Sequence, residues 1–347
     1  MEKTSSIILR LAILVTISGL LSCSHNRQVN NSTATGNQKT NPAHNLPTPL
    51  MCNGEPILMG DPFLYAHENK YYLTGTGAAD RGFSYYVSDD LVNWEYKGFL
   101  WEKKEGSWAN GAFWAPEVSF YNGKFYLTYT GYSEKLNGLR LAIAVSDNPG
   151  GPFTDLYAPL FDGGFGAIDG HLFVEKGQPY LYFSKNGEEN GYSYGILYGI
   201  KLANNLSASV QDTVRLMEAS QDWERANWKH NRCNEGATVF KQDDTFYMTY
   251  SANHTFEPNY GIGYATASSP LGPWTKANEN PIASRDSTSG LTGIGHNSLL
   301  LTSKPNEYLI IFHAHADPQH PENQQRKAYI GQLRIDQKHK LKFTPSR

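Results

Sequence analysis

Five times between residues 61 and 311 the chain repeats one loose pattern, and a repeat of that length leaves few folds open. Each copy starts at a polar residue heading a short strand, turns, and continues into an aromatic-rich apolar strand. The heads read Asp61-Pro62-Phe63-Leu64-Tyr65, Glu117-Val118-Ser119-Phe120-Tyr121, Asp169-Gly170-His171-Leu172-Phe173, Glu235-Gly236-Ala237-Thr238-Val239 and His296-Asn297-Ser298-Leu299-Leu300. Their second strands run from Lys70-Tyr71-Tyr72-Leu73-Thr74 in the first copy to Glu307-Tyr308-Leu309-Ile310-Ile311 in the last. The spacing, about 50 to 65 residues, is room for a four-stranded antiparallel blade with its turns. A third strand follows in most copies, as in Tyr86-Val87-Ser88-Asp89 and Ala144-Val145-Ser146-Asp147, and is weakest in the third copy. A β-sandwich would carry turn signals about every 8–12 residues without the longer period. The expectation is an all-β chain whose residues 51–347 form one five-bladed β-propeller with four-stranded antiparallel blades.

In a propeller the first strand of every blade lines the central channel, so residues at one repeat position form a ring at its mouth. Here that ring is expected to hold Asp61, Glu117, Asp169, Glu235 and His296. A single Asp at a strand head commonly just caps a local turn. Four carboxyls and an imidazole brought together have no such structural use, and their mutual repulsion and burial push some carboxyl pKa values up and leave others low. Glycoside hydrolysis by inversion needs that separation, because one carboxylic acid protonates the leaving oxygen while a carboxylate activates water. Calcium is the competing use of clustered acids, but it takes about 6–8 oxygen ligands, usually from one flexible loop, and no DxDxDG-like run is present.

Composition agrees with a sugar ligand and excludes others. A net charge of -3 with 18% charged residues offers no basic stripe for nucleic acid and no block of like charge for a membrane surface. Aromatics reach 13%, with 22 Tyr and 7 Trp, and suit both short strands and stacking on sugar rings.

With these residues in view, the stretch from about residue 55 to 340 resembles glycoside hydrolase family 43. Gly60-Asp61-Pro62 ahead of Tyr71-Tyr72-Leu73-Thr74-Gly75-Thr76 resembles the family's first-blade site, which implies that Asp61 is the general base. Asn234-Glu235-Gly236 resembles the site of the general acid, and Ile168-Asp169-Gly170 that of the Asp that orients the acid and modulates its pKa. Trp114-Ala115-Pro116-Glu117 resembles the second-blade signature, with Glu117 where an Asp is common, which implies a positioning role for it. Gly295-His296 resembles the last-blade His near the axis, beside which some members bind calcium, and Arg326 falls where many members place a substrate-contacting Arg. The resemblance thus implies Trp114, Glu117, His296 and Arg326 as substrate-binding residues. It implies no required cofactor, with a structural calcium near His296 as the one metal to look for. The Asn-Asp-Pro-Asn-Gly, Arg-Asp-Pro and Glu-Cys motifs of related retaining propeller hydrolases are missing. Expected activities are α-L-arabinofuranosidase or β-xylosidase on plant-type polysaccharide side chains, with galactosidase or arabinanase of the same family as alternatives. A non-catalytic carbohydrate-binding propeller is the alternative of another class, and it has no use for three matching acids.

Residues 1–22 read as a signal peptide ending in Leu20-Leu21-Ser22-Cys23, which resembles the bacterial lipobox. Cys23 is the expected lipidation site, and residues 23–50, poor in apolar side chains, the expected disordered tether. The expected protein is exported and lipid-anchored to a bacterial membrane, at the periplasmic face or cell surface, touches that membrane only through the lipid, and is a monomer. Cys52 and Cys233 either pair or stay free. The segment from Asp222 to Cys233, with Trp223, Trp228, His230 and Arg232, breaks the repeat and is either a pocket wall or loop packing.

Overall fold

The computed structural model of the protein describes residues 47–285 and 289–345; the expected signal peptide, Cys23 and the expected tether up to residue 46 lie outside them. Two short strands, β1 (Met51–Cys52) and β2 (Glu55–Pro56), precede the first blade. Blade I is β3 (Gly60–His67), β4 (Lys70–Thr76), β5 (Gly82–Ser88) and β6 (Asn93–Glu102). Blade II is β7 (Gly111–Tyr121), β8 (Lys124–Ser133), β9 (Gly138–Ser146) and β10 (Thr154–Tyr157). Blade III is β11 (Gly166–Glu175), β12 (Gln178–Glu189), β13 (Tyr192–Lys201) and β14 (Val214–Met217). Blade IV is β15 (Asn231–Gln242), β16 (Thr245–Ala252), β17 (Gly261–Ala267) and β18 (Thr275–Lys276). Blade V is β19 (Gly295–Leu301), β20 (Glu307–His315), β21 (Arg326–Ile335) and β22 (Leu341–Pro345).

Local chemistry sets the register inside each blade. At the β7–β8 turn Asn122 and Gly123 both take left-handed backbone, φ 48 and 81, the pair of conformations that matches strand twist in a two-residue hairpin. Within a blade every neighbouring pair is antiparallel, in chain order. The inner strands β3, β7, β11, β15 and β19 then touch in a closed ring, each meeting the next and β19 returning to β3, which is the propeller the repeat predicts. Blades III and IV differ from the expected separate sheets: Ser193 to Gly195 of β13 pair in parallel with Asn231 to Cys233 of β15, making one continuous sheet.

Because both faces of a blade are covered by neighbours, the apolar residues run on rather than alternate. Five buried clusters fill the five wedges between blades, one per interface. Between blades I and II, Phe83, Phe113 and Tyr129 are fully buried. Their polar ends are still satisfied, since the Tyr129 hydroxyl and the Trp101 indole N–H both donate to Asp155, at 2.8 Å each.

Closure is made by residues 50–59. β1 runs parallel to β6, with Met51 opposite Asn93, and the chain then crosses to blade V. There the Leu50 amide donates to the Ala328 carbonyl and the Met59 amide to the Arg326 carbonyl, both at 2.8 Å. Leu50, the last residue of the expected tether, is already buried in the wedge between blades V and I. The crossing sets Gly60 and Asp61 directly beside Arg326.

Candidate active site

Each inner strand breaks its pairing register near its entry, between Gly60 and Phe63, Trp114 and Glu117, Ile168 and His171, Glu235 and Thr238, and Gly295 and Ser298. One residue in each bulge is left-handed: Asp61, Ala115, Asp169, Gly236 and His296, with φ from 45 to 59. This corrects the expected ring. Asp61, Asp169 and His296 are true equivalents, whereas Glu235 stands one residue before its blade's left-handed position and Glu117 two residues after it. Only at Gly236 is the strained residue a glycine, and a Cβ there would come within 3.1 Å of the His296 ring.

A left-handed non-glycine residue costs on the order of 1–3 kcal/mol and persists only where its surroundings hold it. Here the holder is a polar residue on the second strand of the preceding blade. The Asp61 amide donates to His313 Nδ1 at 3.0 Å, the Ala115 amide to Thr76 Oγ1 at 2.9 Å, the Asp169 amide to Thr130 Oγ1 at 3.2 Å and the His296 amide to Ser251 Oγ at 2.7 Å. Blade IV departs from the rule. Ser184 Oγ instead donates to the Asn234 carbonyl at 2.9 Å, and the Gly236 amide goes to the Asp169 carboxylate, 3.1 Å from Oδ2. That departure ties Asp169 to the backbone next to Glu235.

The bulges bring Asp61, Asp169 and His296 together below the channel mouth. His296 Nδ1 lies 3.3 Å from Asp61 Oδ1 and 4.0 Å from Asp169 Oδ2. Arg326 Nη1 donates to Asp61 Oδ1 at 2.7 Å, and the Thr76 hydroxyl to Asp61 Oδ2 at 2.6 Å. Gly60 makes room for the arginine, since a Cβ on it would fall 2.0 Å from the guanidinium carbon. Burial alone would raise the Asp61 carboxyl, but Arg326, His296 and the Thr76 hydroxyl outweigh it and hold it well below the usual carboxylate range. Asp169 goes the other way. Burial, helped by the charges of Glu235 and Asp61, pushes it up to about 7 against the pull of His296 and the Gly236 amide. Burial opposes a charge on His296 too, yet Asp61, Asp169 and Glu235 raise it, so this imidazole carries its proton readily.

Glu235 is gripped from two sides. The Tyr260 hydroxyl is 2.8 Å from Oε1 and the Cys233 thiol 3.1 Å from Oε2. Burial and the nearby carboxylates push both groups well above their ordinary pKa, so each keeps its proton and donates it. The Tyr260 ring also stacks on His313, centroids 5.6 Å apart and 4° from parallel. Burial and Arg326 hold His313 well below the usual imidazole range; it is neutral, accepts the Asp61 amide at Nδ1 and keeps its proton on Nε2. One stacked pair therefore holds Asp61 through its backbone and Glu235 through its side chain. Behind Glu235 the fully buried Glu224 binds Lys276, the Tyr250 hydroxyl and Asn234, which braces the strand entering the site.

The remaining expected residues sort as follows. Arg326 and His296 sit on Asp61. Trp114 is half-buried on β7, immediately before left-handed Ala115. Glu117 does not join the acid cluster: it is buried one step further into the channel, 2.7 Å from His171 Nδ1, whose Nε2 faces the Val239 carbonyl at 3.3 Å. Calcium does not fit the side of His296 that faces the acids, because the imidazole and Arg326 already supply positive charge there. Among the described residues no group of three or more His, Cys, Asp or Glu side chains could hold a metal ion. Cys52 and Cys233 are both free. The segment from Asp222 to Cys233 divides: Trp223 packs on Tyr250, whereas Trp228 and Arg232 line a cavity. Sequence reasoning missed Thr76, Tyr260, His313 and Cys233. Thr76 was legible within the Thr74-Gly75-Thr76 run, and Cys233 by its place two residues before Glu235; Tyr260 and His313 carried no signal.

Known proteins are similar to this chain in sequence and fold. The sequence model of "Glycosyl hydrolases family 43" matches residues 54–341. A solved structure described as a thermostable family-43 glycoside hydrolase is 38% identical, with a TM-score of 0.79 over 86% of this chain and 96% of its own. The β-D-galactofuranosidase of Aspergillus niger is 26% identical over 75% of this chain and 76% of its own length. An extracellular exo-α-(1→5)-L-arabinofuranosidase of Streptomyces avermitilis is 26% identical over 62% of this chain, which spans only 45% of that protein. With the ring of five blades, the paired acids at its mouth and a match over most of its length, this chain belongs to glycosyl hydrolase family 43.

Proposed function

We propose that the protein is an inverting glycosidase in which Asp61 is the general base, Glu235 the general acid and Asp169 the residue that orients the acid and sets its charge environment. The observation that carries the reading is the opposite fate of two equivalent carboxyls in one cluster beside Glu235: Asp61 is held ionised, while Asp169 keeps its proton up to about 7. In the reaction a water gives its proton to Asp61 and its oxygen bonds to the anomeric carbon from the face opposite the leaving group. The glycosidic bond breaks as Glu235 protonates the departing oxygen, and the anomeric configuration inverts. Arg326 and His296 stabilise Asp61 as the anion that accepts the proton, and Trp114 offers an apolar face to the sugar.

The favoured substrate is a terminal α-L-arabinofuranoside, with β-xyloside second. Relatives named for arabinofuranose and galactofuranose support the furanoside, since α-L-arabinofuranose and β-D-galactofuranose share their ring configuration and differ only at the exocyclic end. On nitrophenyl glycosides the α-L-arabinofuranoside should be cleaved fastest, ahead of the β-D-galactofuranoside, β-D-xyloside and β-D-galactopyranoside. Proton NMR of the first-formed arabinose should show the β anomer; first appearance of the α anomer would overturn the inverting assignment.

We further propose export through residues 1–22 and lipid attachment at Cys23, supported by the lipobox resemblance and by relatives named extracellular. In a lipoprotein-processing bacterial host the chain should take up labelled palmitate and sediment with membranes, and Cys23→Ala should do neither. Equal labelling of the two would end this proposal.

A further inference from the structure

Beside blade III lies a cavity of about 550 Å³ whose lining includes none of the three acids. One wall is the face of β12 and β13 that carries Lys185, Tyr192 and Tyr194; the other is the segment entering blade IV, with Arg225, Trp228 and Arg232. Both walls run on into the active site. Lys185 pairs across the sheet with Ala167, two residues before Asp169, and Arg232 stands three residues before Glu235 on the same strand.

The rim of this cavity, with Arg215, Glu218 and Arg225, is exposed, while Lys185, Tyr192, Tyr194, Trp228 and Arg232 on its inner walls are half-buried. Its lining holds four cationic side chains, Lys185, Arg215, Arg225 and Arg232, against two carboxylates, Glu189 and Glu218. Arg215 and Glu218 neutralise each other. Arg225 reaches only Asp222, at 3.8 Å, and among the described residues Lys185 and Arg232 have no carboxylate in ion-pair range. The Arg232 guanidinium lies over two rings, 3.7 Å from the centre of Tyr192 and 4.5 Å from that of Trp228. Its Nε is committed to the Trp228 carbonyl at 3.1 Å. With Nε taken up, the terminal N–H groups of Arg232 are the donors left for a ligand, and a guanidinium end binds a carboxylate through two parallel hydrogen bonds. Lys185 adds a second charge, held 4.6 Å above the Phe165 ring. The Trp228 ring is taken up by Arg225 and Arg232, 5.0 and 4.5 Å from its centre, so Tyr194 and Tyr192 are the aromatic lining left to meet the C–H face of a sugar ring.

We propose that this cavity is a second carbohydrate site, selective for a sugar ring that bears a carboxylate, a hexuronate. Binding there assumes nothing about Asp61, Asp169 or Glu235. Only its consequence, that an acidic polysaccharide is held next to the cleavage site, rests on the function proposed above.

The test is binding by calorimetry or ligand-observed NMR, with sodium D-galacturonate, sodium D-glucuronate, methyl galacturonate ester and inorganic phosphate as probes. At least one uronate should bind saturably in the millimolar range, about tenfold or more tighter than the uncharged ester, and more weakly as salt is added. Arg232→Gln should abolish that binding and Lys185→Gln weaken it several-fold, with melting temperatures showing both variants folded. If Arg232→Gln fails to fold, Lys185→Gln alone decides. Equal binding of ester and acid, phosphate binding as tight as uronate, no saturation, or uronate binding untouched in the folded variants would each overturn the proposal. None of these readings depends on turnover, so a failed uronate site leaves the hydrolase assignment standing, and an inactive enzyme leaves this test intact.

Discussion

Glu235→Gln should lose about 10³–10⁴ in kcat/KM on an arabinose-containing disaccharide or oligosaccharide but far less, about 10–10²-fold, on a nitrophenyl arabinoside, whereas Asp61→Asn should lose about 10³ or more on both. The asymmetry follows from what each carboxyl does. A sugar alkoxide is a poor leaving group and needs the proton of Glu235, while nitrophenolate departs without one. Deprotonating the attacking water is needed whatever leaves. Both variants keep the shape of their site. The amide oxygen introduced by Glu235→Gln could still accept from the Tyr260 hydroxyl, and an Asn at 61 keeps one oxygen for Arg326 while its backbone amide remains on His313. The melting temperature of Glu235→Gln should therefore stay within a few degrees of the wild type, whereas Asp61→Asn, which removes the ionised partner of the buried Arg326, should remain folded but melt several degrees lower near neutral pH. If Glu235→Gln lost the same factor on both substrates, or Asp61→Asn kept high activity on either, the assignment of acid and base would be wrong.

How far the chain could be read from its residues depended on which interactions repeat. The blades were legible because every wedge needs the same thing, an inner strand and an apolar second strand buried on both faces, so Tyr71–Thr74, Phe125–Thr128 and Phe246–Thr249 look alike. The offset of Glu117 was not legible. Its blade places left-handed Ala115 where the others place Asp61 or Asp169, and a backbone conformation two residues away leaves no mark on a pattern of polar strand heads. Tyr260 and His313 were invisible for a related reason. They lie outside the inner strands, where the corresponding residues of other blades differ, and only the closed ring brings them onto Glu235 and Asp61. Closure itself was hidden, because β1 and the crossing at residues 50–59 are too short to carry a period and pair with residues far along the chain.

Asp169→Asn should be inactive on unactivated substrates, yet more stable than the wild type at pH 8, with a melting temperature several degrees higher. The sign follows from the direction of its shift. The unfolded chain releases the Asp169 proton near pH 4, whereas the native protein holds it up to about 7, so the native state binds more protons in between. The Asp169 contribution to wild-type stability therefore falls as pH rises from about 4 to about 7 and levels off above that. A shift from 3.8 to about 7 corresponds, at 1.36 kcal/mol per unit, to an upper figure of about 4 kcal/mol. Part of this is offset, since His296 loses one of the two carboxylates within 4.0 Å of it; it keeps the nearer, Asp61 at 3.3 Å rather than Asp169 at 4.0 Å. The Asn side-chain oxygen can still accept the Gly236 amide, so no buried donor is stranded. The depressed Asp61 acts oppositely: its contribution is present above the ordinary carboxylate pKa and lost as pH falls toward its native value. Both proteins contain Asp61, and its effect largely cancels in their difference. That difference, measured by thermal melts of both proteins, should be near zero or negative below pH 4, grow through pH 4–7 and stay flat above. A difference independent of pH, or a variant less stable at pH 8, would mean that Asp169 is not held protonated against its own ionisation, and the division of charge between Asp61 and Asp169 would fall with it.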